Sequence, residues 1–319
     1  EAGVPPGVVQ LLPGRGETVG AQLTGDDRVR GVMFTGSTEV ATLLQRNIAS
    51  RLDAQGRPIP LIAETGGMNA MIVDSSALTE QVVVDVLASA FDSAGQRCSA
   101  LRVLCLQDEI ADHTLKMLRG AMAECRMGNP GRLTTDIGPV IDSEAKANIE
   151  RHIQTMRSKG RPVFQAVREN SEDAREWQSG TFVAPTLIEL DDFAELQKEV
   201  FGPVLHVVRY NRNQLPELIE QINASGYGLT LGVHTRIDET IAQVTGSAHV
   251  GNLYVNRNMV GAVVGVQPFG GEGLSGTGPK AGGPLYLYRL LANRPESALA
   301  VTLARQDAKY PVDAQLKAA

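Results

Sequence analysis

Cys98 is the residue of this sequence best placed to act as a nucleophile. It lies in the run Gly95-Gln-Arg-Cys-Ser-Ala100, between a stretch with the apolar spacing of a helix (79–91) and a strand-like stretch (102–107). A thiol at such a turn can be reached by a substrate, whereas a thiol inside either element would be packed away. A lone cysteine is nevertheless more often a small buried hydrophobic side chain, so a chemical role needs a second group.

Glu64 supplies that second group. It follows the strand-like run 59–63 and precedes the pair Gly66-Gly67, which places it at the carboxyl end of a strand, where open α/β sheets bind ligands. An isolated glutamate is more often a solvated surface carboxylate. A thiol and a carboxylate together provide a nucleophile and a general base, and we predict that Cys98 and Glu64 face one pocket.

The composition argues against several other classes of function. The 319 residues carry 30 lysines and arginines against 36 aspartates and glutamates, a net charge of −6, without a block of like charges. We therefore expect no contact with nucleic acid or with a membrane surface. The three cysteines form no C-x-x-C pair, which indicates a reducing, cytoplasmic compartment. The five histidines show no ligand spacing, so no metal site is predicted.

The order of the elements predicts an α/β fold with a largely parallel sheet, because strands alternate with helices along the chain. Strands are predicted at 28–35, 59–63, 102–107, 182–188, 204–210, 229–235 and 251–256. Helices are predicted at 79–91, 109–126, 143–159, 214–223 and 238–247, and residues 168–180 read as a polar, solvated excursion. The inward-facing side chains of the helix 109–126 are predicted to be Ile110, Thr114, Met117, Leu118 and Ala121.

Four motifs in a fixed order carry a resemblance to a known family. They are Glu64-Thr-Gly-Gly67, Gly95-Gln-Arg-Cys98, Glu199-Val-Phe-Gly-Pro203 and Pro268-Phe-Gly-Gly271. Their order and spacing resemble those of the aldehyde dehydrogenase superfamily over residues 1–305.

The resemblance implies a division of the chain into three parts. Residues 1–66 would be the C-terminal part of an incomplete Rossmann-type cofactor domain, and 67–280 an α/β catalytic domain with a parallel sheet. Residues 281–319 would hold an oligomerisation strand, near 297–303, and a linker. The first half of the cofactor domain would precede Glu1, with an asparagine that donates to the reacting oxygen and a lysine for the adenosine ribose.

The family's chemistry assigns roles to these residues. A thiolate adds to an aldehyde and gives a hemithioacetal that can expel a hydride to NAD. Cys98 would be the nucleophile, its backbone N–H would donate to the oxyanion, and Glu64 would activate the water that hydrolyses the resulting thioester. The residues expected to bind NAD are Thr35, Gly36, Ser37, Thr65, Glu199 and Phe201. Ser37 would contact the phosphates at a helix N-terminus, and the choice between NAD and NADP stays open.

The last motif block predicts the substrate. Residues 256–269 resemble one branch of the superfamily, the 1-pyrroline-5-carboxylate (L-glutamate γ-semialdehyde) dehydrogenases, and in particular the dehydrogenase part of the bifunctional proline utilization A proteins. The resemblance implies that Ser99 and the backbone N–H groups of Gly261 and Ala262 hold the substrate's α-carboxylate. Phe269 would pack on the methylene groups. FAD would bind only a proline dehydrogenase part outside this sequence, and the full-length protein would be a homo-oligomer.

Several alternatives stay open. The enzyme could act on another aldehyde, the segment 256–269 could be a glycine-rich turn without a ligand, or the sequence could be a piece that is inactive by itself. An enzyme that transfers its acyl group to coenzyme A would not need Glu64. The run Gly271-Glu-Gly-Leu-Ser-Gly276 matches G-x-G-x-x-G but follows Pro268-Phe269 rather than a first strand, so we predict a surface or subunit-facing loop there.

Overall fold

A computed structural model describes residues 3–54, 56–166 and 180–290. These residues divide into two compact units, of which the smaller contains the described residues up to Ala63 together with those from Pro284 on. The larger unit is Glu64–Gly283 and carries both Cys98 and Glu64. The boundaries that the sequence predicted for a cofactor domain and a catalytic domain stay predictions.

The described elements are eleven strands and eight α-helices. The strands are β1 (Val32–Thr35), β2 (Leu61–Glu64), β3 (Ala70–Val73), β4 (Val103–Gln107), β5 (Val163–Gln165), β6 (Thr186–Leu190), β7 (Val204–Tyr210), β8 (Tyr227–Gly228), β9 (Thr230–His234), β10 (Asn252–Val255) and β11 (Glu272–Gly273). The helices are α1 (Ala21–Gly25), α2 (Thr38–Ala49), α3 (Thr79–Phe91), α4 (Asp108–Glu124), α5 (Ser143–Ser158), α6 (Leu215–Ala224), α7 (Asp238–Ser247) and α8 (Pro284–Leu290).

A seven-stranded sheet forms the centre of the larger unit. Its strand order is β10-β9-β3-β4-β7-β6-β5, and every neighbouring pair is parallel except β5 with β6. All five residues of β4 and all four of β3 are buried, which is the pattern of strands covered on both faces. The predicted α/β fold with a mostly parallel sheet is therefore confirmed. β1 pairs with β2, and β8 with β11, in two small additional sheets.

Most predicted elements are present, and their ends are where the sequence was least informative. The predicted strands 28–35 and 182–188 begin only at Val32 and Thr186. In α4, Thr114 and Leu118 are buried as predicted, while the predicted Ile110, Met117 and Ala121 are partly buried against the core. The strands β3 and β5 were not predicted from the sequence. The polar run near 168–180 and the proposed oligomerisation strand 297–303 lie outside the described residues, except for Gly180.

A left-handed turn connects α3 to the loop that carries Cys98. Ser93, Ala94 and Gly95 have φ angles of 55°, 54° and 67°. Left-handed backbone costs an L-residue roughly 1–2 kcal/mol, and such strain is tolerated where surrounding contacts hold it. Gly95 is required for a second reason, because a Cβ atom there would lie 2.1 Å from the carbonyl oxygen of Gly202. The turn thus sets the Cys98 loop against the Glu199–Pro203 motif.

We expect Gly95→Ala to destabilise the protein by more than about 2 kcal/mol, since it adds left-handed strain to a backbone collision. The matched control is Gly120→Ala, in the exposed interior of α4, where a Cβ atom would meet nothing within 4 Å. That control should be neutral or stabilising by up to about 1 kcal/mol. Urea unfolding of both variants measures the difference, and equal stabilities would contradict the role given to the turn.

Candidate active site

The Cys98 loop lies at the amino edge of the seven-stranded sheet. Ala70 of β3 pairs in register with Val103 of β4, so the residues just before these strands, Asn69 and Arg102, are neighbours. Backbone N–H groups of Arg102 and Val103 both donate to the Asn69 carbonyl, at 2.9 and 3.1 Å. The side chains of Asn69 and Arg102 are therefore neighbours, and both donate to carbonyl oxygens of the Cys98 loop.

Asn69 holds the Cys98 loop in place. Its Nδ2 donates to the carbonyl oxygens of Cys98 (2.7 Å) and Ala100 (2.9 Å), and its Oδ1 accepts from the backbone N–H of Thr230 at 3.2 Å. Gly67 makes this possible, because a Cβ atom there would lie 2.4 Å from Asn69 Oδ1. Asn69 was not predicted, because in the sequence it is only a polar residue directly before the apolar run 70–73, and its burial is seen only in the structure.

Gln96 ties the same loop to the segment 139–141. Its Oε1 accepts from the backbone N–H of Ile141 at 2.8 Å, and its Nε2 donates to the carbonyls of Ser93 (3.1 Å) and Pro139 (3.2 Å). The loop is therefore anchored on both sides of Cys98. Gln96 belongs to the motif that suggested Cys98, but its role depends on a segment distant in sequence and was not predicted.

Opposing effects act on the pKa of the Cys98 thiol. Burial raises its pKa above the ordinary value of 9.0, and the nearby carboxylates of Glu199 and Glu64 raise it further. The backbone N–H groups of Ser99 and Cys98 point towards the sulfur and lower the pKa in part. These two amides can stabilise negative charge on the sulfur. The donation by the Cys98 N–H to a substrate oxyanion stays a prediction. Without a substrate or a base, the thiol is protonated at neutral pH.

Glu64 is the last residue of β2, and its carboxylate lies beside Gly270. A Cβ atom on Gly270 would be 3.3 Å from each carboxylate oxygen, so a larger residue would crowd it. Burial raises the Glu64 pKa from 4.5 to about 7, against a smaller lowering by the Gly271 backbone N–H. Among the described residues, none forms a hydrogen bond with the buried Glu64 Oε1. An acid with this pKa, and with a free oxygen, has the properties of a general base at neutral pH.

The loop 271–276 is partly at the surface, as predicted, and it is held through hydrogen bonds to Thr65, the residue after Glu64. Thr65 donates its backbone N–H to the Ser275 carbonyl (3.1 Å) and its hydroxyl to the Leu274 carbonyl (2.6 Å). Ser275 is fully buried, although Glu272 and Leu274 are exposed. The expected contact of Thr65 with the cofactor stays a prediction.

Glu199 and Phe201 stand together around the buried Arg102. Arg102 Nε and Nη2 both donate to Glu199 Oε1, at 3.1 and 2.9 Å, and the guanidinium carbon lies 5.1 Å from the centre of the Phe201 ring. Phe201 is 45% exposed, so it is not a core residue. Gly66 leaves room for Glu199, because a Cβ atom would lie 1.6 Å from its Oε2.

The four motifs therefore meet. The Glu64 motif contacts Glu199 through Gly66 and contacts the Gly270 motif through the Glu64 carboxylate. The Cys98 motif contacts the Glu199 motif at Gly95, and both carboxylates act on the thiol. The predicted catalytic and nicotinamide-side residues of the larger unit are thus brought into one site, and their roles stay predictions.

The expected substrate-binding residues are placed as follows. Gly261 has a φ of 76° and is exposed, Ala262 is partly buried, and Ser99 is 7% exposed. Phe269 pairs by two backbone hydrogen bonds with Ala281. The loop before Phe269 is tied to β10, because Gln267 Nε2 donates to the Tyr254 hydroxyl at 3.1 Å.

Tyr254 also lies within electrostatic range of Cys98. Its pKa is raised mainly by burial, and Cys98 contributes a smaller part of the rise. The binding roles of Ser99, Gly261, Ala262 and Phe269 stay predictions.

In the smaller unit, Ser37 caps α2. Its hydroxyl accepts from the backbone N–H of Val40 at 3.3 Å, and the predicted strand–turn–helix arrangement of Thr35, Gly36 and Ser37 is present and exposed. Such a helix N-terminus suits phosphate, and its contact with a cofactor stays a prediction.

Among residues 3–54, 56–166 and 180–290, no group of three or more acidic, histidine or cysteine side chains could hold a metal ion. The same residues contain no helix of sufficient length and apolar character to cross a bilayer.

Comparisons with known proteins agree with these motifs. Residues 1–292 match the model of the aldehyde dehydrogenase family. The bifunctional protein PutA of Salmonella typhimurium is 93% identical over 317 residues, which cover 99% of this chain and 24% of that protein. The chain thus spans about a quarter of the length of this curated relative.

Solved structures show the same relationship. A crystal structure of bifunctional proline utilization A is 51% identical with a TM-score of 0.83, over 90% of this chain and 28% of that one. The structure of 1-pyrroline-5-carboxylate dehydrogenase from Thermus with bound NAD is 38% identical with a TM-score of 0.77, over 86% of this chain and 52% of that one.

The raised pKa of Glu64 predicts a pH-dependent effect on stability. The folded protein keeps a proton on Glu64 that the unfolded chain releases, so stability falls as the pH rises from 4.5 to about 7. Glu64→Gln carries no charge in either state. We therefore expect it to match the wild type near pH 4.5 and to be more stable above pH 7. Urea unfolding across this range measures the effect. Glu220→Gln, at an exposed position of α6, is the control, and a similar gain there would contradict the prediction.

Proposed function

Since the chain belongs to the aldehyde dehydrogenase family, we propose that it oxidises L-glutamate γ-semialdehyde, the open form of 1-pyrroline-5-carboxylate, to L-glutamate. The observation that carries the proposal is a cysteine thiol and a glutamate of pKa about 7 in one site. The names of the similar proteins, 1-pyrroline-5-carboxylate dehydrogenase and proline utilization A, support the substrate. A family member with another aldehyde substrate is the alternative.

Cys98 performs the first step in this proposal. Its thiolate forms a bond to the aldehyde carbon, and the carbonyl oxygen becomes an oxyanion. The N–H groups of Cys98 and Ser99, which already face the sulfur, are the donors available near that oxygen. The thiol proton must leave before this bond forms, and the Glu64 carboxylate is a nearby acceptor of suitable pKa.

Glu64 performs the last step. After the carbon has lost its hydride, the substrate is a thioester of Cys98. Glu64 takes a proton from water, the water oxygen attacks the thioester carbon, and the C–S bond breaks to release the carboxylic acid and the thiolate. Burial raises the Glu64 pKa to about 7, so the residue is partly ionised at neutral pH. A general base needs such a pKa because it must both accept and release protons.

NAD is the cofactor that these residues fit. The Glu199 carboxylate is held by Arg102, and the Phe201 ring is exposed beside it, which suits the ribose hydroxyls and the nicotinamide ring. Thr65 and, in the smaller unit, Thr35, Gly36 and Ser37 are the further residues proposed to hold it. NAD, when bound, accepts the hydride from the hemithioacetal carbon.

The substrate's α-carboxylate is proposed to lie against Ser99 and the N–H groups of Gly261 and Ala262. Gly261 suits this task because its backbone is left-handed and unobstructed, so an anion can approach its N–H closely. Phe269 would contact the methylene groups. None of Cys98, Cys105 and Cys125 forms a disulfide, which supports the proposal of a cytoplasmic protein. A homo-oligomer, and FAD bound outside these residues, are proposed from the resemblance to proline utilization A alone.

Two substitutions in the full-length protein test the chemistry. Cys98→Ala should abolish semialdehyde-dependent NADH formation, because no hemithioacetal can form. Glu64→Gln should give one NADH per active site and then stop, because the thioester persists. Stopped-flow absorbance measures the burst, and mass spectrometry of the intact protein measures the acyl adduct. Cys125→Ser, at a thiol outside this site, should keep full turnover, and a burst-free Glu64→Gln variant with normal turnover would refute the proposal.

A second pair of substitutions tests the substrate. Gly261→Ala should lower kcat/KM for the semialdehyde by about 10-fold, a typical loss for one hydrogen bond to a charged group, and leave pentanal within about threefold. Gly265→Ala is the matched control, since Gly265 is exposed in the same loop with a φ of 79° and open space around it. Parallel losses for both aldehydes in Gly261→Ala would argue against carboxylate recognition there.

A further inference from the structure

Arg102 is the fully buried cation of the larger unit's site. Its side chain is 0% exposed and makes five hydrogen bonds as a donor. Two go to Glu199 Oε1, and the others go to the carbonyl oxygens of Gly95 (2.7 Å), Arg97 (3.0 Å) and Gly202 (3.3 Å). These carbonyls belong to the Cys98 motif and to the Glu199 motif, so one guanidinium joins the two.

Burial of this guanidinium has a cost that the contacts must offset. Desolvation lowers the pKa of Arg102, and the neighbouring Glu199 carboxylate opposes the shift. A buried ion pair is rarely more stabilising than apolar side chains of the same volume. The Arg102–Glu199 ion pair is therefore expected to serve a purpose other than stability. The contact of the Arg102 guanidinium with the exposed Phe201 ring indicates what that purpose is.

We propose that Arg102 is a positioning residue for the cofactor end of the site. It sets the orientation of the Glu199 carboxylate by converging two N–H groups on Oε1, and it supports one side of the Phe201 ring. The inference rests on the proposed function, in which Glu199 and Phe201 contact the nicotinamide ribose and ring. Arg102 itself does not touch the reacting atoms.

The geometry requires arginine rather than lysine. A lysine carries one compact ammonium, which cannot donate to Glu199 and to three carbonyls in the plane of a fork, nor stack on Phe201 in the same way. The charge would be kept, but the orientation of Glu199 would be lost. Arg102→Lys therefore separates positioning from charge.

A buried histidine fixes the backbone of Arg102. The Arg102 carbonyl accepts from the backbone N–H of His206 at 2.9 Å and from its Nδ1 at 3.1 Å. Because a carbonyl only accepts, Nδ1 carries the hydrogen, and burial keeps the ring neutral with a pKa of about 3. His206 Nε2 then accepts from His152 Nε2 at 2.8 Å. The position of Arg102 is thus fixed both by the hydrogen bonds of its side chain and by those of its backbone carbonyl.

The experiment compares two measurements on the full-length protein. Calorimetric titration with NAD reports the cofactor end directly, and hydrolysis of an aryl acetate without NAD reports the Cys98 and Glu64 end. Arg102→Lys should weaken NAD binding by about 10-fold, the scale of a hydrogen bond to a charged group. The loss in ester hydrolysis should be at least about threefold smaller than the loss in NAD affinity.

A double-mutant comparison tests whether Arg102 acts through Glu199. In a Glu199→Gln background, Arg102→Lys should weaken NAD binding by less than about threefold, because the oriented partner is already altered. Equal effects in both backgrounds would overturn the proposal. The control is Arg161→Lys, another arginine that bridges two carboxylates, those of Asp191 and Glu195, and it should leave NAD affinity as in the wild type.

The remaining outcomes are also decisive. Ester hydrolysis that falls as far as NAD affinity would make Arg102 a general support of the Cys98 loop and overturn the proposal. If Arg102→Lys does not fold, Glu199→Gln alone must weaken NAD binding by about 10-fold, and full affinity there would overturn it. Failure of the wild type to bind NAD would refute the proposed function, whereas wild-type binding with an unaffected Arg102→Lys variant would refute the role of Arg102 alone.

Discussion

The ion pair between Arg102 and Glu199 lies where the main chains of three motifs converge, and the site is built around it. The guanidinium is enclosed by carbonyls of the Cys98 and Glu199 loops, and the carboxylate occupies the space that Gly66 leaves open. A side chain at Gly66 or Gly95 would collide with one of these groups. The glycines of the motifs are therefore consequences of packing charged groups closely at the edge of a buried sheet.

The two glutamates of the site show how the surroundings assign a role. Glu199 faces a buried cation, which compensates its charge and fixes its direction. In the part of the chain that the structure describes, no cation contributes to the pKa of Glu64; its neighbours are Gly270 and the Gly271 N–H, and burial raises its pKa to about 7. One carboxylate is therefore suited to binding and the other to proton transfer, although both are near the same thiol.

The sequence predicted which motif residues meet in one site better than it predicted the frame that holds them. Cys98 and Glu64 are a thiol and a carboxylate beside glycines, a combination that local sequence is sufficient to reveal. The helix α3 was predicted because its apolar residues recur with a helical period. β3 was missed because its four residues are buried on both faces, which leaves neither alternation nor length to detect. Asn69 and Arg102 were missed because their partners are distant: Arg102 and Glu199 are 97 positions apart. Contacts of that kind follow from strand order, which no local pattern encodes.

Strand order also explains why these polar residues can be buried at all. The register of β3, β4 and β7 brings Asn69, Arg102 and His206 into adjacent positions at the amino edge of the sheet. Each of them satisfies a main-chain group of its neighbour: Asn69 accepts from the N–H of Arg102, and His206 donates to the carbonyl of Arg102. The sheet's own hydrogen bonds thus extend into the site, so the positions of Cys98 and Glu199 are fixed by the same strands that form the hydrophobic core.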